Sequence, residues 1–214
     1  MSIFKNSNVP SEVRIKQITT MMEMQDAMNS KVNPDWKNAG NDWCRAIWIE
    51  CAEMADHYGW KWWKKQTPDT AQVHMELVDI FHFGLSKLIL DRESAGNIFV
   101  RLVDFKSTSY SFLERVEHFV ANVLDGKVFP VRQFAGLMSG VDMTFDDLYR
   151  QYVGKNVLNF FRQDHGYKTG EYRKHFSDGR EDNEHLVEIL NELPADSPTF
   201  KDDVYAALAT RYEA

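Results

Sequence analysis

The chain has 214 residues, of which 43% are hydrophobic and 27% are charged, a balance that is typical of a globular protein. Its formal net charge of −7 argues against binding along a nucleic-acid backbone, which requires clustered lysine and arginine. Since no apolar run approaches the ~20 residues of a membrane helix and the N-terminus lacks a signal-peptide core, we expect a cytoplasmic protein without membrane association. The two cysteines lie about 10 Å apart along one predicted helix, too far for a disulfide.

The predicted elements are helices, beginning with one that opens at Pro10-Ser11-Glu12 and ends before Asn33-Pro34. A second helix is predicted over about 42–58, where Gly59 is a plausible terminator. A third covers about 71–90. Because the connection between the second and third helices is short, we expect these two helices to lie antiparallel.

The middle of the chain predicts two helical stretches near 111–124 and 130–139, with breaks at Gly126 and Gly140. A strong helical pattern follows over 145–164, then a polar loop, and finally helices over about 183–192 and 200–212. Alternation typical of β-strands is absent, and nothing indicates a domain boundary. The sequence therefore predicts an all-α fold with a single domain over residues 1–214.

Four acidic residues form two pairs, Glu50-x-x-Glu53 on the second predicted helix and Glu76-x-x-Asp79 on the third. Residues three apart share a helix face, and both pairs border apolar stripes, so an antiparallel helix pair can bring the four carboxylates together. One such pair is common on a solvated helix, but two on neighbouring helices favour metal binding. Hard oxygen ligands indicate Mg²⁺ or Mn²⁺, and two ions would balance four carboxylates.

Basic and polar side chains elsewhere fit an anionic partner, although a solvated basic surface is the favoured explanation of each group taken singly. Lys155, Asn159 and Arg162 recur on one helix face, and Tyr167 and Lys174 follow in the glycine-containing loop. A second group combines tryptophans and lysines in a short connection: Trp60, Lys61, Trp62, Trp63, Lys64 and Lys65. The sequence lacks a His-Glu-x-x-His spacing, so it does not indicate a zinc hydrolase. We expect His82 to be a packed, hydrogen-bonded histidine.

Three segments resemble the dimeric, all-α dUTPases, which belong to the wider all-α nucleoside triphosphate pyrophosphatase superfamily that includes MazG-like enzymes. They are WCRAIWIECAEMADHYGWKWWK, ELVDIFHF and GKNVLNFFRQDHGYKTGEYRK. The likeness covers roughly 20–90 and 145–190, and the region 91–145 shows no usable match. The acidic pairs are shared across the superfamily, whereas the Trp/Lys segment and the Asn-Phe-Phe-Arg-Gln stretch are more specific.

The resemblance implies Mg²⁺-dependent hydrolysis of dUTP, and of dUDP, to dUMP. It implies that Glu50, Glu53, Glu76 and Asp79 hold two or more ions, with Mn²⁺ as a substitute. A water on the metal would attack, and Glu53 would take its proton as general base. The resemblance also implies the substrate-binding residues, with Gln25 and Asn29 at the uracil edge and Trp62 near the nucleoside. We add Lys61 from the basic segment. The residues implied at the sugar and phosphates are Lys155, Asn159, Arg162, Tyr167 and Lys174. The resemblance further implies a homodimer in which both subunits contribute to one site.

Three alternatives stay open. A related pyrophosphatase acting on dCTP, or on both dCTP and dUTP, would share the acidic core, because an amide side chain can turn to serve either base edge. A broadly specific MazG-like enzyme is the second alternative, although the long C-terminal motif argues against it. The third is a non-enzymatic helical binding protein whose acids are surface charges, and such a protein would not be stabilised by Mg²⁺.

Overall fold

A computed structural model describes residues 3–4, 9–194, 197 and 199–213. The described residues form helices and no β-strand, which confirms the predicted all-α class. Their bounds are α1 Ser11–Val32, α2 Trp43–Tyr58, α3 Thr70–Leu90, α4 Ala95–Val103, α5 Phe112–Gly126, α6 Val131–Gly140, α7 Phe145–Asp164, α8 Asp182–Glu192 and α9 Phe200–Glu213. None of these helices is long and apolar enough to cross a membrane.

The chain divides into two compact units, Met1–Leu148 and Tyr149–Ala214, with the division inside α7. The first contains α1 to α6 and the start of α7, and the second contains the rest of α7 together with α8 and α9. The single domain over residues 1–214 stays a prediction.

The predicted helix ends agree with the observed ones because short-range chemistry sets them. Asp42 and Asp69 cap α2 and α3 by accepting hydrogen bonds from the backbone N–H groups of Arg45 and Gln72. Gly59 ends α2 in the left-handed conformation, with φ of 92°, which a residue without Cβ adopts without strain. The helix α4, which begins after Ser94, was not predicted.

The core of the first unit lies where α2 and α3 pack along each other. Their buried side chains include Ile47, Met54, Leu77 and Ile80, all fully buried, as expected for the apolar stripe of an amphipathic helix. Phe81 of α3 continues this core by stacking on Phe134 of α6, with ring centroids 5.0 Å apart.

Gly84 explains how α3 approaches the segment between α5 and α6 so closely. A Cβ at this position would lie 2.4 Å from the ring of Phe129, closer than van der Waals contact allows. The Phe129 ring is buried and packs on Phe119 and Phe134 as well. The missing side chain therefore allows α3 to join the aromatic core.

The second unit has its own core around Phe161, which is fully buried. The rings of Tyr205 and Tyr212 on α9 each lie 5.3 Å from the Phe161 ring, centroid to centroid. The unit also contains a buried ion pair in which Arg162 of α7 binds Asp182, the first residue of α8. Apolar rings and this ion pair together hold the three helical segments.

Candidate active site

The antiparallel arrangement of α2 and α3 positions the predicted acidic residues. At one end of the pair, the ring centroids of Trp43 and Phe83 are 6.2 Å apart. At the other end, Nε2 of His57 lies 3.7 Å from a carboxylate oxygen of Glu76. Since the start of α2 meets the later part of α3 and the end of α2 meets its beginning, the predicted antiparallel packing is confirmed.

Three of the four predicted carboxylates meet between these helices. Glu50, Glu76 and Asp79 each offer an oxygen atom, and these atoms lie within 4.8 Å of one another. Glu76 is buried, with 7% of its surface exposed, while Glu50 and Asp79 are half-buried. Glu53, one helical turn after Glu50, is exposed and lies outside this group of three. We call the group of Glu50, Glu76 and Asp79 the acidic cluster.

Burial and mutual repulsion make the acidic cluster a strong candidate for cation binding. Burial raises the pKa of Glu50 to about 8, and the charge of Asp79, a hydrogen bond with Glu76 and the charges of Glu76 and Glu53 add to this. At pH 7, Glu50 therefore holds a proton, whereas an exposed glutamate would be ionised. A divalent cation would replace that proton, and three carboxylates supply the hard oxygen ligands that Mg²⁺ and Mn²⁺ prefer.

The two amides predicted to bind the base belong to a hydrogen-bonded network between α1 and α3. Nε2 of Gln25 donates to Oδ1 of Asn29 at 3.0 Å and to Oγ of Ser86 at 3.1 Å. Nδ1 of His82 lies 2.7 Å from Oε1 of Gln25, so it carries the proton and donates it. Gln25 is buried and Asn29 is half-buried, so Asn29 is the more accessible of the two amides.

Ser86 was not singled out from the sequence, although it joins the two amides. Its Oγ accepts from Nδ2 of Asn29 at 2.9 Å as well as from Gln25, and it donates to the backbone carbonyl of His82. The available signal was a matched spacing, because Gln25 and Asn29 are four apart on α1 and His82 and Ser86 are four apart on α3. His82 is packed and hydrogen-bonded, as predicted.

The two predicted residues of the Trp/Lys connection, Trp62 and Lys61, have different environments. Trp62 is 89% exposed, and its ring meets that of Trp63 in a T-shaped contact with centroids 5.2 Å apart, so most of the Trp62 ring surface is open to a planar partner. Lys61 instead extends back to α2, where its Nζ binds a carboxylate oxygen of Asp56 at 2.6 Å and lies over the ring of Trp60. The ammonium group of Lys61 is thus held by an exposed ion pair next to His57.

In the second unit, three of the predicted residues lie together. The guanidinium of Arg162 donates to Oδ1 of Asn159 at 3.4 Å and lies 5.9 Å from the centroid of the Tyr167 ring. Lys155 is buried on the same helix, with 8% of its surface exposed. Lys174, in the following loop, is exposed, and its Nζ pairs with a carboxylate oxygen of Glu181 at 3.0 Å.

Asp182 is the residue that sequence reasoning missed here. Two nitrogen atoms of Arg162 donate to its two carboxylate oxygens, at 2.7 and 2.9 Å, and the hydroxyl of Tyr172 donates to it at 2.8 Å. Asp182 is fully buried, and despite that burial the hydrogen bonds and charge of Arg162 lower its pKa. The pair fixes the direction of the Arg162 guanidinium on α7.

A family model described as dUTPase matches residues 17–167. The chain belongs to this family, which confirms the resemblance noted in its sequence and makes it a hydrolase with dUTP diphosphatase activity. The matched range contains the acidic cluster, Gln25, Asn29 and Tyr167, and it ends before Lys174. It also includes residues 91–145, which show no usable resemblance in the sequence motifs. No curated protein matches the chain.

Proposed function

We propose, taking membership of the dUTPase family as the premise, that this enzyme hydrolyses dUTP to dUMP and pyrophosphate in a Mg²⁺-dependent reaction at the acidic cluster. The observation that carries the proposal is the convergence of Glu50, Glu76 and Asp79 within 4.8 Å, with the pKa of Glu50 raised to about 8. If the chain were a non-enzymatic binding protein, these acidic side chains would be solvent-exposed and would keep their ordinary pKa values. The proposal includes dUDP, as the resemblance implies.

Glu50, Glu76 and Asp79 would hold the metal, with Glu53 contributing from the adjoining turn of α2. Two or more Mg²⁺ ions, or Mn²⁺ in their place, would neutralise the phosphate charge and orient the attacking water. The donor set fits such ions because it consists of carboxylate oxygens from two neighbouring helices.

The chain's own groups would perform the proton transfer and hold the leaving group. Glu53 is proposed as the general base that accepts a proton from the attacking water, and its exposure leaves its carboxylate accessible to solvent. We propose, from the resemblance, that Lys155, Asn159, Arg162, Tyr167 and Lys174 bind the sugar and phosphates. Because Asp182 already holds two nitrogen atoms of Arg162, this guanidinium would contact phosphate only through its remaining donors.

Preference for uracil over cytosine would depend on the network around Asn29. Gln25 and Ser86 hold the amide of Asn29, so its oxygen and nitrogen cannot exchange places without breaking two hydrogen bonds. An amide in one fixed orientation presents its donor and acceptor in one order, whereas uracil and cytosine require opposite orders. We propose that Asn29, with Gln25 behind it, selects the base, while Lys61 and the exposed Trp62 contact the nucleoside.

The assembly and the location of the protein are also proposed. The family resemblance implies a homodimer, and we propose one for this chain. The two free, buried cysteines, Cys44 and Cys51, fit a reducing compartment, so the cytoplasm stays our proposed location.

The test is pyrophosphate release from dUTP, dCTP, dTTP and dATP, with Mg²⁺ and with EDTA. Three proteins would be compared: wild type, Glu53→Gln and the matched control Glu117→Gln, which alters an exposed glutamate on α5. We expect Mg²⁺-dependent release from dUTP alone, reduced at least about 100-fold in Glu53→Gln and unchanged in the control. Release mainly from dCTP would contradict the base assignment, and full activity of Glu53→Gln would contradict the assigned base catalyst.

A further inference from the structure

The first unit contains a cavity of about 570 Å³ far along the chain from the acidic cluster. Its walls come from the connection between α4 and α5, from α5 and from α6. This volume is within the range of small-ligand pockets, roughly 300 to 1,000 Å³. Neither the acidic cluster nor the amide network contributes to its lining, so the proposed function does not account for it.

The cavity carries net positive charge, although the whole chain has a net charge of −7. One basic side chain at its wall, Arg132, pairs with Asp104 at 2.8 Å, so these two charges cancel. Lys106 and Arg115 also line the cavity, and among the described residues neither forms an ion pair with a carboxylate. Two cations without a counter-ion in the lining of one cavity favour an anionic ligand.

Arg115 is held in place by neutral partners. Its Nε donates to the carbonyl of Tyr110 at 3.0 Å, and its two terminal nitrogens donate to the carbonyls of Thr108 and Gly136 at 3.1 and 3.2 Å. These bonds use three of its five N–H donors and leave two for a ligand. The guanidinium is therefore oriented in advance, which lowers the entropic cost of binding an anion.

The same cavity presents aromatic surfaces beside the cations. The ring of Phe105 lies close against α6, with one of its carbon atoms 3.1 Å from where a Cβ of Gly136 would stand. The rings of Tyr110 and His118 form a second surface, with centroids 4.6 Å apart. Flat apolar walls next to an oriented guanidinium and an ammonium group match a planar ring that carries an anionic substituent.

We propose that this cavity is a second, non-catalytic nucleotide site. The base lies against Phe105 and Tyr110, and the 5′-phosphate is bound by Lys106 and Arg115. Occupation of the cavity ties the α4–α5 connection to α6 in addition to the bonds that Arg115 already makes. No residue of the acidic cluster lines the cavity, so the proposal does not depend on the proposed reaction.

The test is a calorimetric titration of the full-length protein with dUMP in the presence of EDTA. The Lys106→Ala variant is compared with wild type and with the control Lys16→Ala, which changes an exposed lysine on α1. We expect Lys106→Ala to raise the dissociation constant for dUMP at one site per chain by at least about tenfold, and Lys16→Ala to leave it unchanged. Deoxyuridine, which lacks the phosphate, should not fill this site.

Equal dissociation constants for dUMP in wild type and Lys106→Ala would overturn the proposal, as would an equal weakening in Lys16→Ala. The comparison follows only the site that Lys106→Ala weakens, so it holds whether or not the acidic cluster itself binds dUMP. Failure of dUTP hydrolysis with the difference intact would contradict the proposed function and leave this site standing. Thermal melting followed by circular dichroism checks that Lys106→Ala is folded, as expected for a change at an exposed residue.

Discussion

At the scale of single residues, the protein accommodates buried carboxylates in two different ways. Asp182 is fully buried but remains ionised, because Arg162 and Tyr172 satisfy both of its oxygens. Glu50 lies among other acids, and its pKa is raised to about 8. A carboxylate with a cationic partner stabilises the fold, whereas one among like charges favours a proton or a metal. The first arrangement is structural and the second is suited to function.

The raised pKa of Glu50 predicts that the metal-free protein becomes less stable as pH rises. Between pH 4.5, the ordinary value, and about 8, the unfolded chain releases this proton while the folded chain retains it, so unfolding becomes progressively easier. Thermal melting in EDTA from pH 5 to 9 should show a falling midpoint. Mg²⁺ should reverse the fall, and Glu50→Gln should weaken the pH dependence. A midpoint that is flat with pH in wild type would contradict the prediction.

The Asp182 pair predicts a large loss of stability when its acid is removed. Asp182→Ala leaves the guanidinium of Arg162 buried without its charge partner, which typically costs about 3–5 kcal/mol. Urea denaturation at pH 7 measures the change, with Asp202→Ala as an exposed control on α9 expected within about 0.5 kcal/mol of wild type. Because its pKa is lowered, Asp182 stabilises the fold at neutral pH, and this contribution disappears as pH falls below 3.8. Equal stability of the two variants would contradict the prediction.

At the scale of elements, α3 contributes residues to both the acidic cluster and the amide network of the first unit. It supplies Glu76 and Asp79 to the acidic cluster and His82 and Ser86 to the amide network. On the same helix, Gly84 permits the close approach of Phe129. Any shift of α3 would therefore displace the candidate metal ligands and the candidate base-binding amides together.

Gly84→Ala should destabilise the protein by about 1–3 kcal/mol, the usual cost of overpacking a well-filled core. Its Cβ would lie 2.4 Å from the buried ring of Phe129, which has no room to move away. The matched change Gly96→Ala, on α4, meets no heavy atom closer than 3.9 Å and should be neutral or stabilising by up to about 1 kcal/mol. Urea denaturation of both variants distinguishes them, and a stable Gly84→Ala would mean that α3 and Phe129 are less tightly packed than described.

Element positions were predictable wherever the sequence carries both periodicity and end signals. The helix α2 has an aspartate cap and a terminal glycine, and α7 is a helical pattern of 20 residues, so both were predicted with nearly the observed bounds. The helix α4 was missed because it is only 9 residues long, although Ser94 caps it and its buried residues Ile98 and Leu102 lie four apart on one face. The helix packs against α1 and α6, and a helix this short depends on such packing.

At the scale of the whole molecule, the proposed homodimer predicts a particle of roughly twice the 25.0 kDa chain mass. Family resemblance, rather than any observed interface, is the basis of this prediction. Sedimentation velocity at several protein concentrations, with and without Mg²⁺, measures the mass directly. A single species with the mass of one chain under all conditions would contradict it.

The helical class, most helix ends and the identity of the acidic residues followed from the amino-acid sequence, because these depend on patterns within about 20 residues. It also contained the family resemblance, which the dUTPase match confirmed. The structure was needed to show that Glu50, Glu76 and Asp79 converge while Glu53 stays exposed, and that Gln25 is buried behind Asn29. Hydrogen bonds such as Gln25 to Ser86 join residues 61 positions apart, and over that separation helical periodicity carries no information about distance.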